Sequence, residues 1–448
     1  MTVARLLLVN ALIRAAAAAS GQLFAFVLAE RLASRSGVGA MLVGMLGASF
    51  FLTEIVGAPI AGRIADGRGH RRVMRYGPVF GATCGLVGAL SAFAPIGLGL
   101  LAFVLLVART TEGLSAACTT PTTLVLLSRA TEGDAARRTR MMGIFEISSL
   151  VAMIMGYAIA GIAWDSAGPK AFLALPLLYT LAWVLVGASA PERSTESREH
   201  LPVLRLARAL GAERGNLPFA AAWLSVNAVV GVWMQQSPYL LKLADRSATQ
   251  SLVGGFTGRQ IGQVFGVFGL TFLGGVTLWS VFGARMPRRR ALAVALVGML
   301  GVVSFLALRN HGAGRWALGL AMVCVLVESG FTPAAFAHLA DATEVHDGSR
   351  GAALGLYSLL LGSGQLLGNA LGAPFAMRWQ MDGVLGLTAL LASIALLGVL
   401  RMSPTTRGRE VGGGSRAVTS PMRGAEDGGR CARATVLSYE ARGESFRE

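Results

Sequence analysis

The sequence predicts an all-α membrane protein with twelve transmembrane helices, arranged as two pseudo-symmetric six-helix bundles. The first observation is the composition: 54% of the 448 residues are hydrophobic, 14% are charged, and the mean hydropathy is +0.59. This leaves too little polar surface for water-soluble domains. The second is a series of apolar runs, most of them about 20 residues long, as a helix needs to cross a bilayer. The third is an internal repeat that relates the two halves of the chain.

The apolar runs are separated by charged or Gly/Pro-containing segments. In the first half they lie near residues 5–29, 38–62, 73–94, 96–127, 141–164 and 171–190. In the second half they lie near residues 217–240, 261–284, 291–308, 315–337, 352–376 and 383–401. The first run resembles a signal peptide, but Arg14 interrupts its apolar core, so an uncleaved span is predicted.

Two polar segments complete the organisation. Residues 191–216 are rich in charged side chains and are predicted to link a six-helix half at 1–190 to a second at 217–401. Residues 402–448 are rich in Gly, Ser and Arg and show no apolar periodicity, which predicts a disordered tail.

The basic residues predict the orientation. With the N-terminus inside, the inner loops hold 19 Lys and Arg residues and the outer loops hold 9. Because basic loops stay in the cytoplasm, both termini, the linker and the tail are predicted to be cytoplasmic. Arg supplies 38 of the 40 basic residues, and Ala and Gly are abundant, a composition typical of a GC-rich bacterial genome. We therefore expect a multi-pass protein of the bacterial inner (plasma) membrane.

The repeat aligns segments 212 positions apart, without a gap, from Thr120-Pro121 with Thr332-Pro333 onward. It continues through Ala130-Thr131-Glu132 with Ala342-Thr343-Glu344 and ends at Phe145 with Tyr357. Both segments cover the end of the fourth span of a half, the next loop and the start of the fifth span. Duplicated halves with a site near the midplane are typical of secondary transporters.

Several other classes of protein are excluded. The net charge of +16 suggests nucleic-acid binding, but the basic residues are spread over short loops instead of one face. The cysteines give no disulfide framework, and no nucleotide, serine-hydrolase or zinc-protease motif is present. The Gly-rich stretch Gly362 to Gly368 lies inside an apolar run, so close helix packing is predicted there. We expect no enzyme activity, metal, cofactor or nucleic-acid partner.

A characteristic loop follows the second span and reads Gly-Arg-Ile-Ala-Asp-Gly-Arg-Gly-His-Arg-Arg over residues 62–72. Its spacing resembles the signature of the major facilitator superfamily, Gly-x-x-x-Asp-(Arg/Lys)-x-Gly-(Arg/Lys)-(Arg/Lys). The residues that match the pattern are Gly62, Asp66, Gly69 and Arg71, and Arg72 is the adjacent basic residue. Gly67 and His70 depart from the pattern. The alternative is an ordinary cytoplasmic loop, which needs neither the acid nor the glycine spacing.

The physical chemistry of this loop agrees with a conformational switch. Gly62 is expected to let two helices approach closely, and Gly69 is expected to permit a tight turn. Asp66, at the membrane edge, can accept hydrogen bonds from a helix N-terminus or a guanidinium. The resemblance implies that the loop latches the two halves in one state of the transporter.

The fourth span contains a second resemblance to the superfamily. Residues 109–117 read Arg-Thr-Thr-Glu-Gly-Leu-Ser-Ala-Ala and look like Arg-x-x-Gln-Gly-x-Gly-Ala-Ala, a motif associated with proton coupling. Arg109 is deep in the span and must face a cavity or an acidic partner. Glu112, at i+3, shares its face, and Gly113 follows it. The pair is interpreted either as part of the substrate and proton pathway or as a structural ion pair.

Four further ionisable residues lie inside spans, where a charge is costly unless it is paired or hydrated. They are Arg14, Glu54, Glu146 and Glu328. Arg14 is a candidate partner of Glu54 or Glu146, and Glu328 is the acid at depth in the second half. Each is a transport residue or a buried structural group.

Uncharged polar residues in spans seven and eleven leave two alternatives open. Asn227, Gln235, Gln236, Gln365 and Asn369 either contact a substrate or bond neighbouring helices. The antiporter motif of the fifth span, Gly-Pro-x-x-Gly-Gly, is not met by residues 156–161. This departure weakens an assignment to drug/proton antiport.

The resemblance implies a monomeric secondary transporter in the lipid bilayer that moves a small molecule by alternating access, with protons as the coupling ion. Efflux is preferred over uptake because of the motif that contains Arg109 and Glu112. The alternatives are an uptake permease or uniporter of a small solute such as a sugar or organic acid, and more remotely a membrane-embedded receptor or enzyme.

Overall fold

The computed structural model describes residues 2–32, 36–131, 135–187, 217–283, 286–344 and 350–402. The first half contains α1 (Val3–Arg31), α2 (Ser36–Arg68), α3 (His70–Phe93), α4 (Leu98–Ala130), α5 (Ala135–Ala167) and α6 (Ala174–Gly187). The second half contains α7 (Leu217–Lys242), α8 (Gly258–Phe282), α9 (Arg288–Asn310), α10 (Trp316–Glu328), α11 (Phe331–Glu344) and α12 (Arg350–Leu400). The predicted linker 191–216 and the tail beyond residue 402 lie outside the described residues.

Within the described ranges, ten helical stretches are long and apolar enough to cross a membrane. Two of them are long enough for two crossings each. The stretch Arg140–Gly187 holds α5 and α6, separated by a 3-10 turn at Gly168–Leu173. In α12, Gln380 has φ 50, and a Cβ at Gly383 would lie 2.1 Å from the Phe375 carbonyl oxygen, so the chain folds back there. The twelve predicted crossings are thereby accommodated.

The tenth crossing differs from the continuous run predicted at 315–337. The helix breaks at Ser329 and Gly330, between α10 and α11. The indole of Trp279, on α8, packs against the backbone there, because a Cβ at Gly330 would lie 2.4 Å from its ring. Its Nε1 also donates to the Leu326 carbonyl oxygen at 3.0 Å. The break therefore coincides with a contact from a helix distant in the sequence.

Small residues let the helices approach each other closely. This is usual in a membrane, where the hydrophobic effect does not drive helices together. A Cβ at Gly368 would lie 1.9 Å from the Ala228 carbonyl oxygen, and one at Gly364 would lie 2.5 Å from Asn227 Cβ. The close helix packing predicted for the Gly362–Gly368 stretch is confirmed. Large apolar side chains such as Leu177 and Phe282 are exposed on the outer surface, as a lipid-facing surface requires.

Contacts between the two halves gather at one end of the bundle, where α1, α5 and α7 finish and α2 and α8 begin; we call it the closed end. Asp165 of α5 accepts hydrogen bonds from the backbone amides of Gly258 and Arg259. The hydroxyl of Tyr239 donates to the Ser36 carbonyl oxygen at 2.7 Å. Two more contacts join Glu30 to Lys242 at 3.3 Å and the Gln236 amide to the Ala40 carbonyl oxygen.

Candidate functional site

Arg109 and Glu112 form a buried ion pair on one face of α4, as their i, i+3 spacing predicted. Arg109 is 2% exposed and Glu112 is 1% exposed. Arg109 Nη1 donates to Glu112 Oε2 and, at 2.9 Å, to Ser20 Oγ. The Ser20 hydroxyl in turn donates to Glu112, at 2.7 Å from Oε1 and 2.6 Å from Oε2. The Tyr179 hydroxyl adds a bond of 2.8 Å to Oε1.

This network connects four helices of the first half. Ser20 belongs to α1 and Tyr179 to α6, and the Arg109 guanidinium lies 4.6 Å from the centre of the Phe50 ring on α2. Both oxygens of Glu112 accept from donors in the protein, so the carboxylate is satisfied without a ligand. This geometry favours the structural interpretation of the pair.

Gly113 has a clear packing role beside this pair. A Cβ at Gly113 would lie 2.3 Å from the Phe50 carbonyl oxygen. Since α2 and α4 approach to backbone contact here, a larger side chain would push Phe50 away from Arg109.

Arg14, Glu54 and Glu146 come from α1, α2 and α5. Arg14 is the charged neighbour of both carboxylates and donates to Thr120 Oγ1 at 3.1 Å, and its pairing with either acid stays a prediction. Among the described residues, neither acid forms an ion pair within 4.0 Å of Arg14. All three side chains are partly exposed. The group is therefore less tightly packed than the Arg109–Glu112 pair.

Glu328 is separate from that group. It is the last residue of α10, beside the break at Ser329, and its backbone packs against Gly298 of α9. Its described electrostatic neighbour is the Cys324 thiol. That Glu328 is an acid at depth in the second half stays a prediction.

The loop between α2 and α3 differs in part from its prediction. Gly69 has φ 93 and alone joins the two helices, which confirms the tight turn. Asp66 lies in the last turn of α2, 49% exposed, with Oδ1 at 3.5 Å from His70 Nε2. Among the described residues, the ion-pair partner of Asp66 is thus this imidazole. Arg71 is partly exposed and Arg72 is exposed.

The expectation for Gly62 stays a prediction. Among the described residues, no heavy atom lies within 4 Å of the position that a Cβ at Gly62 would occupy. No helix in the described part of the chain therefore approaches this face of α2 closely.

The uncharged polar residues divide between the two alternatives. Asn227 and Asn369 donate within their own helices, to the carbonyl oxygens of Trp223 at 2.9 Å and Gln365 at 2.7 Å. Gln236 bonds a neighbouring helix, α2, through Ala40. Gln235 makes no hydrogen bond within the described part of the chain, although it is 6% exposed.

Comparison with known proteins identifies a family model that matches most of the chain. A family model described as Major Facilitator Superfamily matches residues 11–254 and 247–437. No curated protein matches the sequence.

Solved structures share the fold at low sequence identity. A D-xylose-proton symporter is 15% identical, with a TM-score of 0.63 over 89% of this chain and 99% of that chain. The nucleoside transporter NupG is 12% identical, with a TM-score of 0.66 over 89% of this chain and 98% of that chain. A POT family transporter in complex with 5-aminolevulinic acid is 15% identical, with a TM-score of 0.64 over 89% of this chain and 96% of that chain.

Proposed function

The chain belongs to the major facilitator superfamily, and from that premise we propose that it exports a small molecule by proton-coupled alternating access. As a member of this family it is a multi-pass membrane transporter and not an enzyme. The direction, the coupling ion and the substrate belong to the proposal.

The observation that carries the proposal is the one-sided distribution of contacts between the described residues of the two halves. The contacts of Asp165, Tyr239, Glu30 and Gln236 all lie toward the closed end. Asp66, near the opposite end, pairs with His70 of its own half. If the basic loops face the cytoplasm, the closed end is outside, and this arrangement is an inward-facing state. Opening the closed end while Asp66 engages the second half would complete the cycle.

The acids near Arg14 are better candidates for the coupling proton than Glu112. Glu112 already accepts from Arg109, Ser20 and Tyr179, so a proton would have to displace a donor. Glu54 and Glu146 are partly exposed and lack a close ion pair among the described residues. With Arg14 they carry a net charge of −1 when both are ionised, and a single proton would neutralise the group.

Uptake or uniport is the second candidate. The fifth span lacks the antiporter motif, and the fold neighbours include a proton symporter. Export is preferred on the resemblance of residues 109–117 to the motif of proton-coupled transporters, and this preference does not require Glu112 itself to carry the proton. We further propose a monomer in the bacterial plasma membrane with both termini in the cytoplasm.

Labelling of single cysteines tests the alternating-access cycle. In a chain whose four natural cysteines are replaced, Ala40→Cys places a thiol at a buried position of the closed end, and Ala244→Cys places one at an exposed position of the loop after α7. An impermeant maleimide added outside should label Ala244→Cys always and Ala40→Cys slowly. Imposing a proton gradient should change the rate at Ala40→Cys alone. A rate at Ala40→Cys that no gradient alters would contradict proton-coupled alternation.

A further inference from the structure

Four arginines lie together where α9 begins and α12 ends, at the end of the bundle opposite the closed end. Arg288, Arg289 and Arg290 form the first turn of α9, and Arg401 directly follows α12. The guanidinium of Arg289 donates to the Leu400 carbonyl oxygen, so the start of α9 contacts the end of α12. The other three arginines follow one another or these two residues directly in the chain. We call this place the arginine corner.

The positive charge of the arginine corner is not balanced by acids of the helices that form it. Neither α8 nor α9 contains Asp or Glu, and the acid of α12, Asp382, lies at the fold-back near the closed end. Arg290 and Arg401 are exposed, and their side chains make no hydrogen bond or ion pair within the described part of the chain. Cations in the first turn of α9 also oppose the positive end of its dipole.

Each of the two exposed arginines ends an apolar stripe on its own helix. On α9, the exposed Val294 and Val297 follow Arg290 at i+4 and i+7, so the three side chains share one face. On α12, Arg401 follows the exposed Leu397 at i+4. The same face of α12 continues through the exposed Leu390 and Ile394. Because α9 packs against α12, two lipid-facing stripes end at the same cluster of cations.

We propose that the arginine corner binds a phospholipid with an anionic headgroup. Guanidiniums bind phosphate oxygens through strong, charge-assisted hydrogen bonds, and basic clusters between transmembrane helices hold phosphate-containing headgroups. The apolar stripes favour a lipid over a soluble phosphate, because they provide a surface for acyl chains directly beside the cations. The proposed orientation puts the corner in the cytoplasmic leaflet. The inference goes beyond the proposed function, since it requires neither a direction of transport nor a coupling ion.

A role in membrane orientation does not by itself account for this arrangement. A topology signal requires only that basic residues lie in a cytoplasmic loop. It requires neither cations in the first turn of a helix nor their alignment with lipid-facing stripes. Arg289 has a structural role, because its guanidinium lies at the negative end of the α12 dipole. Arg290 and Arg401 remain to bind the headgroup.

Native mass spectrometry of the purified full chain in a neutral detergent tests this assignment. The chain is titrated with dioleoylphosphatidylglycerol, which is anionic, and with dioleoylphosphatidylcholine, which is zwitterionic. We expect phosphatidylglycerol to bind more tightly than phosphatidylcholine. Each arginine beside an anionic headgroup strengthens binding about fivefold. Arg290→Gln combined with Arg401→Gln should therefore weaken the tightest phosphatidylglycerol site roughly 25-fold and leave phosphatidylcholine binding unchanged.

Arg315→Gln combined with Arg378→Gln is the matched control. It removes two exposed arginines from the other end of the same half, with the same change in net charge, and should bind phosphatidylglycerol as the wild type does. Arg290→Lys combined with Arg401→Lys keeps both charges and should bind more tightly than the glutamine pair. All three double variants should melt at the wild-type temperature without added lipid, which excludes misfolding as the cause of weaker binding.

Three outcomes would overturn the assignment. The first is equal affinity for the two lipids. The second is unchanged phosphatidylglycerol binding in the glutamine pair at Arg290 and Arg401, or an equal loss in the pair at Arg315 and Arg378. The third is displacement of phosphatidylglycerol by the same concentration of glycerol phosphate, because the soluble headgroup would then bind without any contribution from the apolar stripes.

Discussion

Asp165 accepts two hydrogen bonds at the N-terminus of α8, from the Gly258 amide at 2.8 Å and from the next amide at 2.7 Å. Its carboxylate lies at the positive end of the helix dipole. It accepts from two backbone amides that have no acceptor within α8. Because Asp165 belongs to the first half and α8 to the second, this contact exists only while the closed end is closed.

Asp165→Asn should therefore open the closed end more often. The amide removes the negative charge and one acceptor, which costs about 1 kcal/mol at an exposed helix end. The rate of external maleimide labelling at Ala40→Cys should rise roughly fivefold. Asp382→Asn is the matched control, because Asp382 bonds Asn310 and His311 inside the second half. An equal rise in both variants would show that Asp165 does not hold the closed end closed.

Gly161→Ala should prevent the closed end from closing fully. A Cβ there would lie 2.1 Å from the Gly258 carbonyl oxygen, so the backbones of α5 and α8 would have to separate. Overpacking of this kind costs about 1–3 kcal/mol, and labelling at Ala40→Cys should again increase. Gly266→Ala, whose Cβ would meet Ala158 at an ordinary 3.8 Å, should leave labelling unchanged.

Local spacing in the sequence predicted part of this architecture and site. The spans, the turn at Gly69 and the pairing of Arg109 with Glu112 follow from hydropathy, backbone sterics and helical periodicity. The partners Ser20 and Tyr179 are 92 and 67 residues from Glu112, and no local pattern encodes them. In lipid, apolar periodicity does not fix the rotation of a helix, because lipid and protein interior are equally apolar.

The same limit explains why the sequence did not predict the contact of Asp165 at the closed end or the break in the tenth span. Asp165 is a single acid at the end of a span, and its target, the amide of Gly258, is 93 residues away. The break after Glu328 lies beside Trp279, which packs against Gly330 from another helix. Whether a helix approaches Gly62 likewise depends on how the halves are arranged, which a motif does not specify.

Asp66→Asn should act in the direction opposite to Asp165→Asn. If Asp66 latches the halves when the inner end is closed, removing its charge favours the arrangement described here, with the outer end closed. Labelling at Ala40→Cys should fall, and transport should decrease while abundance in the membrane stays near that of the wild type. Normal turnover in Asp66→Asn would reduce the loop to a determinant of topology.

Glu112→Gln should destabilise the protein. The change leaves the Arg109 guanidinium buried without its counter-charge, which costs about 3–5 kcal/mol when one partner of a buried pair is removed. The apparent melting temperature in detergent should fall markedly. Arg109→Lys should retain only part of the wild-type stability, since an ammonium lacks the planar face that the guanidinium places over the Phe50 ring. A melting temperature unchanged in Glu112→Gln would show that the pair contributes nothing to the fold.

Glu54→Gln and Glu146→Gln should instead uncouple transport from protons. Glutamine resembles the protonated carboxyl group. Each variant therefore gives the group of Arg14 and the two acids the net charge of zero that the wild type has with one proton bound. Substrate exchange across proteoliposomes should persist in both variants, whereas the response of net flux to an imposed pH gradient should be lost in at least one. Glu328→Gln is the control, since Glu328 lies in the second half beside Cys324. Loss of the pH response in Glu328→Gln alone would move the proton site to the break between α10 and α11.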